Sequence, residues 1–208
     1  MPDATDLWPW LDLARTALPP VLYLGIGAGR LAVPMAGAGV QFVGVDAHPG
    51  MLEHLAHRLP GTELIRAPIE GLRLPRDFDL VMVPSNILFT IDRLRGAAKH
   101  VSSRGRLAFE LANPHWLRAG AGDGVRVQRL DGNEARLEID YVVPDRTYTQ
   151  VADISLVWPE EVDRWLEAAG LTLDRMFGAP DLDLVSSPTY YVIARAAARL
   201  ELSLDDGG

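Results

Sequence analysis

"VLYLGIGAGR", Val21 to Arg30, reads as a buried strand that runs into a glycine-rich turn and then a helix. The run is apolar, rich in β-formers and bounded by Pro19-Pro20 and by Gly25, which is the signature of a strand inside a sheet. Glycines stand at 25, 27 and 29. A dinucleotide fingerprint needs its third glycine one position later, where this chain has Arg30. The G-x-G-x-G spacing therefore fits a nicotinamide or flavin dinucleotide poorly. Glycine lets the chain turn sharply out of a strand and bring its backbone close to a ligand. The helix that follows offers unpaired N–H groups to a carboxylate. A close-packed strand-to-helix turn with no ligand would use the same residues.

The next strand sharpens the reading. "VQFVGVDA" ends with Asp46 at its carboxyl tip, where an acid can accept both hydroxyl hydrogens of a ribose. The other role open to such an acid is that of a turn or helix cap. Further out, strands and helices alternate. "PGMLEHLAHRLPG" is helical, "TELIRA" and "FDLVMVPS" are strands, "TIDRLRGAAKHV" is a helix and "GRLAFELA" a fifth strand. Nearly continuous apolar strands separated by helices predict a parallel sheet covered on both faces. A short amphipathic helix is expected before it, at about Asp6 to Ala17. After about Asn113 the pattern changes to three antiparallel strands, "GVRVQRL", "EARLEIDYVV" and "TQVADISLVW", with a hairpin tip at Asp131-Gly132-Asn133. Leu137, Ile139 and Tyr141 fall on one face of this insert, and Arg136, Glu138 and Asp140 on the other. "PEEVDRWLEAAG" is a helix with Pro at its start and Gly at its end. "LTLDRMFG" and "TYYVIARAA" are two more strands, and the tail "ELSLDDGG" is expected to fray.

The chain has 208 residues, of which 48% are hydrophobic and 23% charged, enough to bury one sizeable core. A net charge of -8 argues against a nucleic-acid partner, whose phosphates need Lys and Arg. No cysteine is present, which removes disulfides and thiolate nucleophiles together and fits a reducing cytoplasm. No apolar run approaches the length that spans a bilayer, and the first residues lack the pattern of a signal peptide. The expectation is a cytoplasmic protein with neither membrane nor nucleic-acid partners.

The stretch from Val21 to Leu59 resembles the cofactor half of class I S-adenosylmethionine-dependent methyltransferases of the small-molecule type. The resemblance continues in order through "FDLVMVPSNILFTI", "GAAKHVSSRGRLAFELANP", "WPEEVDRWLEAAGLTLDRMFG" and "TYYVIAR". It implies an α/β fold with a Rossmann-like, seven-stranded, mostly parallel sheet, helices on both faces and a small antiparallel β insert. It implies one domain: a lid helix at 1–18, a cofactor half at 19–112, the insert at 120–158, and a C-terminal helix with two strands at 159–197. The implied cofactor is S-adenosyl-L-methionine, and the implied reaction is methyl transfer to N or O of a small molecule of natural-product type. A fold relative that binds the cofactor for other chemistry, such as a cyclisation, or a non-catalytic binding module stays open.

By this resemblance Gly25, Gly27 and Gly29 lie beside the methionine part of the cofactor, Asp46 holds the ribose, and Ala47 and Ile69 frame the adenine. Pro84, Ser85 and Asn86 lie beside the sulfonium and the acceptor. Two positions depart. Tyr23 stands where the family usually has an acid that helps hold the methionine amino group, and Pro68 where it often has an acid for the adenine. Methyl transfer from a sulfonium is an in-line displacement that needs alignment and a dry site. A base is required only if the acceptor must lose a proton. His115 in "NPHWL", after strand five, is the candidate, since histidine titrates in the useful range. A capping or solvated histidine is the alternative. His48, His54 and His57 read as loop or helix-surface residues, and His100 as complementing a helix dipole. Trp8, Trp10, Trp116, Tyr141 and Tyr148 are candidates for an acceptor pocket, with core packing the competing role. Trp158 and Trp165 are assigned to core. The histidine spacing suggests no metal site, and the insert is a candidate homodimer surface.

Overall fold

In the computed structural model, residues 7–122, 124–143 and 146–197 are described. Helix α1 (Trp10–Arg15) precedes β1 (Val21–Leu24), which is buried at all four positions. The chain then alternates: α2 (Ala32–Gly37), β2 (Phe42–Asp46), α3 (Pro49–Arg58), β3 (Glu63–Arg66), a 3-10 turn at Ile69–Gly71, β4 (Phe78–Val83), α4 (Ile91–Ala98) and β5 (Val101–Ala112). After α5 (Pro114–Arg118) come β6 (Val125–Asp131), β7 (Glu134–Val143) and β8 (Arg146–Ser155). A second 3-10 turn (Pro159–Glu161), α6 (Val162–Glu167), β9 (Leu171–Phe177) and β10 (Thr189–Ala196) close the described chain.

Seven strands form one sheet in the order β3-β2-β1-β4-β5-β10-β9. The first five are parallel, and β10 runs antiparallel between β5 and β9. The expected Rossmann-like sheet with its antiparallel addition is therefore the observed one. Alternate residues of the strands feed two cores, because successive side chains point to opposite faces. Leu22, Leu24, Val43 and Val45 pack with Leu94, Ala97, Val162 and Leu166 on one face. Val21, Tyr23 and Phe42 pack with Trp10, Met35, Leu52 and Leu55 on the other. A side chain such as Leu22 or Leu24, at 0% exposure, contributes about 2 kcal/mol by leaving water. β6, β7 and β8 form a separate antiparallel sheet. Ala135 and Leu137 of this sheet pack on Leu117 of α5, which seats the insert beside the end of β5.

Several expectations need adjustment. Of the helix expected at about Asp6 to Ala17, the described residues hold Trp10–Arg15, while its start at Asp6 lies outside the described residues, as does the tail "ELSLDDGG". β5 starts at Val101, before "GRLAFELA", because the chain pairs with Phe78, bulges, and re-registers at Leu80 opposite Arg106. The alternation in β7 holds at Leu137 but not at Tyr141, which is 48% exposed because the hairpin runs past the edge of its small core. Trp10 is buried and Trp8 packs edge-on against Phe177 and Tyr191, so both belong to the sheet's core face. His100 is also buried, not a charged helix end. Burial pushes its imidazole below the usual histidine range, against the opposing effect of a hydrogen bond at the Leu72 backbone.

Candidate active site

The carboxyl ends of β1 to β4 meet around a cleft of about 190 Å³. Gly25 leaves β1, Asp46 and Ala47 end β2, Ala67 to Glu70 follow β3, and Ile87 and Arg93 come from the segment after β4. Ligands of open α/β sheets bind outside the carboxyl ends of the strands. A larger depression of about 430 Å³ opens at the opposite end of β2, beside Gln41 and Phe42, away from that edge.

The glycine turn is shaped by backbone bonds and by Asp46. The Gly25 and Ile26 N–H groups both donate to the Val45 carbonyl, at 2.8 and 3.0 Å. The Gly27 N–H donates to Asp46 Oδ2 and the His48 N–H to Asp46 Oδ1, each at 2.8 Å. The carboxylate thus ties the turn after β1 to the loop after β2. Two oxygens offer about four acceptor sites, so two remain for other donors. Gly25 has φ +70, and a Cβ there would run into the Ile87 side chain. Gly27 has φ +55 with open space where a Cβ would point, so backbone conformation alone asks for glycine there. At Gly29 a Cβ would meet Leu55 and Val33, so packing of α2 on α3 is enough to account for it.

Gly25, Asp46, Ala47 and Ile69 come together in the cleft, with Val45, Ala67 and Ile87 as apolar walls. Pro68 lines the same wall, and Glu70, two residues on, pairs with Arg93 at 2.7 Å. That hydrogen bond holds the Glu70 carboxyl below its ordinary range. Tyr23 does not line the cleft. Its ring is buried and meets Phe42 edge-on, and burial raises its phenol pKa. The charges that bear on that phenol are Arg30, Glu110 and Asp46. Pro84 is buried at the end of β4, and Asn86 Oδ1 accepts the Ala112 N–H at 3.2 Å. Asn86 therefore braces the exit of β5.

His115 lies past that exit, on α5, outside the cleft. The helix is started by Asn113, whose Oδ1 accepts the His115 N–H at 3.0 Å and whose amide donates to the Leu184 and Ser187 carbonyls. The imidazole Nε2 is 2.6 Å from Glu160 Oε1, and its ring meets Trp158 edge-on. Trp158 also carries the Arg118 guanidinium over its face, so it joins the His115 surroundings and is not a core tryptophan. Trp165, by contrast, packs on Phe109 in the core. His48 caps α3 by accepting the Met51 N–H at 3.3 Å. Glu160, Arg93, Ile87 and Glu110 were not singled out in the sequence. Glu110 had a signal, as the lone acid in the run "LAFELA".

Residues 21–105 match the family model for a methyltransferase domain. No curated protein matches the sequence. Among solved structures, the chain is similar to the CcbJ methyltransferase from Streptomyces caelestis, at 24% identity and a TM-score of 0.71, covering 95% of this chain and 91% of that one. It is similar to DesVI of Streptomyces venezuelae, at 24% identity and 0.70, covering 93% and 92%. It is also similar to CalS10 bound to S-adenosylmethionine, an amino pentose methyltransferase of calicheamicin biosynthesis from Micromonospora echinaspora, at 22% and 0.70, covering 93% and 90%. Residues 21–105 thus match a methyltransferase domain in sequence, and the whole chain shares the fold of these solved methyltransferases.

No helix among the described residues is long and apolar enough to cross a membrane, and no group of three or more His, Asp or Glu among them could hold a metal ion.

Proposed function

We propose that this protein is an S-adenosylmethionine-dependent methyltransferase that acts on N or O of a small molecule, with an amino sugar or related natural-product intermediate as the acceptor class. The observation that carries the reading is the cleft at the carboxyl ends of β1 to β4, where the Asp46 carboxylate and the Gly25 turn stand among apolar walls. The donor set suits the cofactor. Asp46 keeps acceptor sites for two ribose hydroxyls, and Ala47, Ile69 and Ile87 are apolar faces for a flat base. The acceptor class rests on the similarity to CalS10, an amino pentose methyltransferase.

When bound, the cofactor supplies a methyl group on a sulfonium with a neutral thioether as leaving group. The chain's own work is to hold, align and dehydrate. Where the acceptor must lose a proton, His115 is the residue this reading assigns to take it. In the tautomer that donates Nε2–H to Glu160, Nδ1 is the acceptor nitrogen. Calorimetry with S-adenosylhomocysteine tests the reading. Micromolar binding is expected, and no detectable heat at millimolar ligand, about three decades weaker, would refute it.

A further inference from the structure

Seen across the sheet, three residues share one row on the face that carries α1 and α2. Tyr23 of β1 is opposite Met82 of β4, and Met82 is opposite Ala108 of β5. All three lie in the same core. Two residues further toward the carboxyl edge, the same alternation brings Gly25, Pro84 and Glu110 to one level. Two strand spacings separate the first from the last, about 10 Å. Glu110 therefore projects to the Tyr23 face at the height of the glycine turn.

Its carboxylate is already turned to that edge. Glu110 Oε1 accepts the Ser85 N–H at 2.5 Å, and Ser85 is the residue with φ +84 just after β4. A non-glycine residue in that conformation costs about 1–2 kcal/mol and is kept only where its surroundings hold it. A carboxylate offers about four acceptor sites, so one such group can hold several donors at once. The field of Glu110 also reaches the Tyr23 phenol.

The aminoacyl tail of S-adenosylmethionine ends in an ammonium and a carboxylate, and the ammonium needs an anionic or carbonyl acceptor once it leaves water. β1 offers a buried phenol at the level below the turn. We propose that Glu110, from the end of β5, supplies the carboxylate that holds the cofactor's ammonium, so that β5 does the work that an acid on β1 would do. This rests on the cofactor assignment above.

The test is calorimetry on the full chain with two ligands. S-adenosylhomocysteine carries the aminoacyl tail, and 5′-methylthioadenosine has the same nucleoside without it. Glu110→Gln keeps the shape and an acceptor for Ser85 but removes the charge. It should weaken S-adenosylhomocysteine about tenfold or more while leaving 5′-methylthioadenosine within about twofold. Glu110→Asp, which keeps the charge, should retain most of the preference for the tailed ligand. If Glu110→Gln leaves S-adenosylhomocysteine affinity unchanged, or weakens both ligands equally, Glu110 only braces the β4 exit and the proposal fails. If the unsubstituted protein binds neither ligand, the cofactor assignment itself fails.

Discussion

Asp46 carries two loads that a single substitution can separate. Its carboxylate accepts the Gly27 and His48 N–H groups, which ties two loops together, and its remaining acceptor sites face the cleft. Asp46→Ala removes everything. Two ribose hydroxyl bonds to a charged acceptor are together worth about 3 kcal/mol at this partly exposed site, so S-adenosylhomocysteine should bind roughly 150-fold more weakly. The lost loop bonds should lower folding stability by about 1–2 kcal/mol. Asp46→Asn keeps one neutral acceptor and turns an amide donor toward the other N–H. It should fold nearly as poorly as the alanine variant while still binding through one hydroxyl. Each variant is measured by urea unfolding without ligand and by calorimetry with ligand. If Asp46→Ala unfolds earlier but binds with unchanged affinity, the carboxylate is only a loop tie and the ribose placement is wrong.

Gly25→Ala asks a non-glycine residue to hold φ +70 and drives a methyl into Ile87. A loss of about 1–2 kcal/mol is expected from the conformation alone, and Ile87→Ala in the same chain should relieve the clash but not that share. Full stability of the single variant in urea would count against the observed turn. His115→Ala should cut turnover with little change in S-adenosylhomocysteine affinity, and Glu160→Gln should cut it less. Equal activity in all three proteins would remove the pair from the chemistry. Burial disfavours the charged form of His100 when folded, so the unfolded chain takes up a proton first as pH falls. Stability should therefore drop below the ordinary histidine pKa of about 6.5, by at most about 1.4 kcal/mol per pH unit from this group. Urea midpoints from about pH 7.5 to about pH 5 should fall more steeply in the native protein than in His100→Leu. Equal slopes would show that His100 is not the group responsible.

The parallel half was legible because its strands are buried on both sides. A strand with two covered faces has no polar side, so "VLYL" and "LVMV" read as unbroken apolar runs. β7 was legible for the opposite reason, since one face packs and the other carries Arg136 and Glu138 in ion pairs. The bulge that lengthens β5 and the end of the insert's core before Tyr141 depend on what lies across the sheet, so no local pattern announces them.

The candidate site divides along the same line. Asp46 was visible because a strand ends on it and the glycines stand one strand earlier. Tyr23 and Glu110 are each ambiguous alone. A tyrosine in a strand is ordinary core, and an acid in "AFELA" reads as a solvated strand end. Their relation follows from register: Tyr23 opposite Met82, Met82 opposite Ala108, and Glu110 two residues nearer the edge. That step is set by three chain segments far apart in sequence. A parallel sheet can move a required charge sideways from one strand to another at the same height, and a motif anchored to a single strand then registers a loss where the site as a whole keeps its carboxylate.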